Sequence, residues 1–116
     1  MTGADRYRAG VAAEASVARH YESAGCAVAG RRWRGEGGEI DLIAREGEAL
    51  VFVEVKKARS FARAANRLGR RQLERICAAA TEFLAGEPRG QLTPMRVDLA
   101  LVDSMGRVEV RENVTM

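Results

Sequence analysis

Asp41, Glu54 and Lys56, in the middle of the chain, have the residue types and spacing to hold a hard divalent cation beside an amine. They lie in two strand-like runs, residues 39–44 and 49–56, separated by Arg45-Glu46-Gly47-Glu48, a hairpin signal. Because strand side chains alternate, Ile40, Leu42, Val51, Val53 and Val55 form one apolar face. Glu39, Asp41, Phe52, Glu54 and Lys56 then share the other. A II′ turn at Gly47-Glu48 puts Asp41 directly opposite Glu54, about 5 Å away, and a turn centred on Glu46-Gly47 makes them diagonal neighbours at about 7–8 Å. Either register keeps both acids on one face.

Opposed carboxylates destabilise a sheet unless something positive lies between them. Oxygen-only ligation suits Mg²⁺ or Mn²⁺, and no His or Cys stands nearby in the sequence to favour zinc. Lys56 would orient or deprotonate a water, or neutralise charge on a phosphate. These are the parts for attack by a metal-activated hydroxide on a phosphodiester. Asp…Glu-x-Lys alone is a weak pattern, and its plain alternative is an exposed polar face with a Glu54–Lys56 ion pair.

The elements that must carry these residues are legible from periodicity. Residues 5–24 read as a helix with Tyr7, Val11, Ala15, Ala18 and Tyr21 on one arc, stopped by Gly25. Glu14 falls inside that arc, where a carboxylate is costly without a cation, a metal or water, so it is a candidate further metal ligand. Its alternative is a rim glutamate among small alanines. Glu39 is a candidate supporting carboxylate or a solvated strand end. Residues 26–34 form a weaker strand ending in Arg31-Arg32-Trp33-Arg34; Trp33 would stack on a base or fill a core edge. Residues 57–68 read as a basic loop and residues 70–85 as a second helix ended by Gly86 and Pro88. Residues 95–103 and 107–114 are two further strands. The order α-β-β-β-α-β-β suits a mixed sheet with helices packed on it.

Net charge is only +3, but residues 56–75 carry eight cations against Glu74. That asymmetry is the footprint of a polyphosphate partner, or else a solvated arginine-rich face. At 116 residues the chain has the length of one domain, spanning 1–116. No apolar run approaches the roughly 20 residues of a membrane helix, and no signal peptide is apparent. Cys26 and Cys77 lack paired spacing and read as reduced thiols of a cytoplasmic protein. His20 is assigned no role.

Residues 38–44 (GEIDLIA) and 51–56 (VFVEVK), preceded by a helix with Glu14 and a Gly25 turn, closely resemble the YraN-type family of small bacterial proteins. That family is similar to the PD-(D/E)xK, restriction-endonuclease-like superfamily, close in layout to archaeal Holliday-junction resolvases. The resemblance spans about residues 10–102. It implies a nuclease-type αβββαβ core, a mixed central sheet flanked by two main helices, here with an extra C-terminal strand. It also implies Asp41, Glu54 and Lys56 as the active-site signature and Glu14 as the extra helical acid. Lys57-Ala58 replaces the family's usual Thr-Arg, Arg70 or Arg71 stands where a lysine is usual, and the family's usual ending is missing.

The expectation is therefore a Mg²⁺- or Mn²⁺-dependent endonuclease-like protein. Asp41 and Glu54, with Glu14 and the Val55 carbonyl, are the expected metal ligands, and Lys56 stands beside the attacking water. Arg32, Arg34, Lys57, Arg59, Arg67, Arg70 and Arg71 would bind nucleic acid, DNA before RNA. Junction-resolving relatives act as dimers, so a homodimer is expected too, and no membrane partner. The competing readings are a non-catalytic nucleic-acid-binding module on the same fold, and an adaptor whose cationic segment meets an acidic protein.

Overall fold

The computed structural model describes residues 3–115, with the backbone alone for residues 4–7. The Tyr7 side chain therefore lies outside the described residues. Helix α1 (Gly3–Ser23) leads to strands β1 (Ala27–Arg34), β2 (Glu39–Glu46) and β3 (Ala49–Lys57). A short α2 (Phe61–Ala65) and the longer α3 (Arg70–Leu84) follow, then a 3-10 turn at Gly90–Leu92, β4 (Met95–Val102) and β5 (Val108–Arg111). The five strands form one sheet in the order β1-β2-β3-β4-β5, with β3 and β4 parallel and the other neighbours antiparallel. This is an αβββαβ core with a further C-terminal strand. No described helix is long and apolar enough to cross a membrane.

The parallel step needs a crossover, and α2 and α3 supply it. Residues 57–68, expected as loop, thus contain a helix. Its start is signalled by Ser60, whose hydroxyl accepts the Arg63 N–H at 3.2 Å. Five residues are too few for an apolar period to show.

The sheet is covered on both faces. On one, Leu42, Ala44, Val51 and Val53 pack with Ala13, Val17, Ala18 and Tyr21 of α1. On the other, Ile43, Leu50 and Phe52 pack with Ile76, Ala79, Ala80 and Leu84 of α3. Burying Phe52 completely is worth about 1.5–3 kcal/mol. The stripe of α1 is rotated from the expected arc: Ala13 is buried, whereas Val11 is 41 % exposed. Alanines fit either side, so the wheel of this helix is weakly determined. At its end Gly25, at φ +93°, lets Cys26 N–H reach the Tyr21 carbonyl at 3.0 Å and turns the chain into β1.

Candidate active site

The β2–β3 hairpin closes through Gly47-Glu48: Glu46 pairs with Ala49, and Gly47 sits at φ +58° while Glu48 does not enter the positive-φ region. This is the II′ arrangement, and it fixes the register in which Asp41 faces Glu54. The ladder ends at Leu42↔Val53. Every second pair exchanges backbone hydrogen bonds, so Ile40 and Val55 would come next. Instead Asp41 Oδ2 accepts the Val55 N–H at 2.9 Å. A side chain has replaced a backbone carbonyl, and β2 leaves β3 at this point. Ile40, expected beside Leu42, consequently packs with Ile43 and Phe52 under α3.

Glu54 follows Phe52 on the α3 side of β3 and is 5 % exposed. Its Oε2 accepts from Gln72 Nε2 of α3 at 2.9 Å. Burial, the hydrogen bond to the Asp41 carboxyl and the Asp41 charge push the Glu54 carboxyl up to about 9, against the opposing pull of Lys56 and the Val55 amide. Burial thus makes the Glu54 carboxyl hold its proton more readily than an exposed glutamate does. A cation can take that proton's place, and four hard oxygens from two carboxylates are the donor set that Mg²⁺ or Mn²⁺ prefers. The residues present fit a divalent ion.

Glu14 stands elsewhere. Its Oε2 accepts from Arg32 Nε at 2.8 Å, which ties α1 to β1 at a residue held at φ +46°. Among the described residues no group of three or more His, Cys, Asp or Glu side chains could hold a metal, so Glu14 does not join Asp41 and Glu54 in this arrangement. It lines, with Lys56, a cleft of about 650 Å³ at the C-terminal end of β3. Glu39 is also engaged away from the acid pair, accepting from Arg34 Nη2 at 3.1 Å across β1 and β2.

The expected cations divide into two groups. Lys57, Arg59 and Arg67 line the cleft together with Lys56. Arg70 and Arg71 are exposed on α3, where Arg70 lies 3.8 Å from Glu74, and Arg32 and Arg34 are ion-paired on β1. Trp33 does not stand free for base stacking. Its ring meets Phe83 edge to face at 5.4 Å, on the rim of the α3 core.

Two contributors escaped the sequence reading. Gln72 precedes Ile76 by one helical turn on the buried stripe of α3, a polar residue at an apolar position, and that signal was available. Glu82 accepts the Glu36 and Gly37 amides, each at 2.8 Å, and so clamps the Gly35–Gly38 turn that leads into Asp41. A Cβ on Gly35 would lie 2.6 Å from Glu82 Oε2. A contact between residues so far apart in the chain leaves no local trace.

A family model described as "Uncharacterised protein family UPF0102" matches residues 13–102, which include Glu14, Asp41, Glu54 and Lys56. A UPF0102 protein of Cereibacter sphaeroides is 63 % identical over 113 residues, covering 97 % of each chain. One of Ruegeria pomeroyi is 62 % identical over 111 residues, covering 96 % of this chain and 90 % of that one. One of Dinoroseobacter shibae is 51 % identical over 107 residues, covering 92 % and 80 %.

Proposed function

We propose that this chain, which belongs to the uncharacterised protein family UPF0102, is a divalent-metal-dependent phosphodiesterase of the PD-(D/E)xK, restriction-endonuclease-like kind, acting on nucleic acid. The observation that carries the reading is the Asp41 carboxylate, held by the Val55 amide, opposite the buried Glu54 carboxyl in the hairpin, with Lys56 two residues beyond Glu54 lining a cationic cleft. Asp41 and Glu54 would hold Mg²⁺ or Mn²⁺. Such an ion, when bound, polarises a phosphoryl oxygen and makes water acidic enough to attack.

The protein's own residues do the rest. The Val55 amide fixes Asp41, and Gln72 fixes Glu54, so the acids keep their separation without a ligand to hold them. Preorganised donors of this kind spare the reorganisation that a flexible site needs at the moment of reaction. Lys56 neutralises charge gathering on the scissile phosphate. The cleft cations draw the phosphate chain toward the acid pair.

The test is hydrolysis of single-stranded, flapped and branched substrates with Mg²⁺ or Mn²⁺. Wild-type turnover should vanish in EDTA and fall at least about a hundredfold in Asp41→Ala and Glu54→Ala proteins, as expected when an electrostatic catalytic group is removed. Activity unchanged in both variants sinks the catalytic reading. A second reading, a nucleic-acid-binding module without turnover, is favoured by one observation, the engagement of Glu14 by Arg32 away from the acid pair. It predicts salt-sensitive binding and no metal-dependent cleavage.

A further inference from the structure

We infer that Glu14 is a built-in competitor for phosphate. Its carboxylate occupies Arg32 in the resting protein, and a phosphate chain entering the cleft must displace it to gain that guanidinium. The inference rests on the reading above in taking a phosphate chain as the cleft's ligand, and it gives Glu14 a role other than metal ligation.

Placement is the first argument. Among the described residues that line the cleft, Glu14 alone is acidic, in company with Lys56, Lys57, Arg59 and Arg67. It stands on the wall that α1 presents, beside Gly10 and Ala13. Its Oε2 nevertheless accepts from Arg32 Nε at 2.8 Å, across to β1. An acid at the mouth of a cationic cleft presents to that cleft what a phosphate presents, negative oxygens.

The pair is also built into the fold. Leu42 packs under α1 and Ile40 under α3, so strand alternation is interrupted between them, at Asp41. On β1 the same interruption falls at Arg32, between the pairs Arg31↔Leu42 and Trp33↔Ile40. Arg32 takes it up at φ +46°, a backbone state that a residue with a Cβ rarely keeps unless its surroundings impose it. Arg32 thus stands across the β1–β2 pair from Asp41, and Glu14 meets it from α1.

The contact is exchangeable. The Arg32 side chain is 37 % exposed and that of Glu14 20 %, so solvent reaches and screens both. Ion pairs of this kind are worth about fivefold or less in an equilibrium constant. A phosphate offers the guanidinium a charge-assisted, two-oxygen contact of the same type. Exchange costs little, and Glu14 sets how weak an anion the site ignores.

The experiment is fluorescence anisotropy of labelled oligo-dT in EDTA, with Glu14→Ala, Arg32→Asn and the double variant beside wild type. Asparagine tolerates positive φ, so Arg32→Asn removes the charge and keeps the turn. Glu14→Ala should bind oligo-dT about three- to fivefold more tightly than wild type, and the gain should be absent when Arg32→Asn is the background. Should Glu14→Ala not fold, Glu14→Gln gives a smaller gain of the same sign. No gain, or an equal gain in both backgrounds, overturns the inference, since an equal gain is a general effect of charge. Mn²⁺ binding without oligonucleotide, followed by electron paramagnetic resonance, should be unchanged in Glu14→Ala. A weakened Mn²⁺ affinity there would make Glu14 a metal ligand and overturn the inference as well. Oligo-dT bound by none of these proteins also overturns it, while Mn²⁺ bound by wild type and lost in Asp41→Ala would keep the metal reading. A gain through Arg32 with no Mn²⁺ bound by any of them would sink the metal reading and leave this one standing.

Discussion

The Asp41 carboxylate accepts the Val55 amide proton at 2.9 Å, one step beyond the last ladder pair of the β2–β3 hairpin. A hydrogen bond to a charged group contributes about 1.5–3 kcal/mol. Here it does two things at once. It satisfies a donor that β2 has abandoned, and it sets an acid against the buried Glu54 in the neighbouring strand. The break in the sheet and the candidate site are one feature.

The Glu54 proton makes stability depend on pH. The folded state keeps it up to about 9, whereas an ordinary glutamate releases it near 4.5. Below 4.5 both folded and unfolded chains are protonated and the contribution is complete; it is lost as pH rises through that window. In EDTA the melting temperature of wild type should therefore fall with rising pH relative to Glu54→Gln, and Mg²⁺ should restore most of the difference above neutrality. Parallel pH profiles of the two proteins would refute the assignment.

Glu82→Ala should destabilise the chain by about 2 kcal/mol, because it removes the acceptor of two amides at 2.8 Å, one of them partly buried. Urea denaturation measures it. The same change should loosen the turn entering Asp41, so the metal concentration for half-maximal activity should rise as well.

Gly10→Ala should stabilise by about 0.5–1 kcal/mol, since Gly10 lies inside α1 and the added methyl group meets open space. A thermal melt checks the sign. A loss of stability would mean that the cleft wall is filled.

On the α1 side, Asp98 is fully buried and accepts from Tyr21 Oη at 2.7 Å, Arg96 Nε at 3.0 Å and the Asn113 amide at 3.0 Å. Tyr21→Phe should cost about 1 kcal/mol, because two donors remain. Asp98→Ala should cost about 2–4 kcal/mol, because the Tyr21 hydroxyl and the Asn113 amide lose their acceptor while Arg96 keeps Glu46 and Glu112. Equal losses in the two variants, read by urea denaturation, would contradict this arrangement.

Much of this was legible in the residues. Gly47 marked the hairpin but left two registers open, both with Asp41 and Glu54 on one face, and the Leu73–Ile76–Ala80 spacing gave α3; the strand pairing decides for the Gly47-Glu48 turn. Strict alternation misplaced Ile40, because it assumes an unbroken ladder and a side chain breaks this one. The arc of α1 was misread by one position because alanine buries as readily as it is exposed. The Glu14–Arg32 and Glu82–Gly37 contacts were invisible, since tertiary pairing brings together residues with no local relationship.

The most direct measurement is anomalous scattering from crystals soaked in Mn²⁺. A peak bonded to carboxylate oxygens of both Asp41 and Glu54, about 2.1 Å from each, as for a Mg²⁺-type ion, is the expected result. Crystals with no peak there, or with manganese only at surface acids, would contradict it.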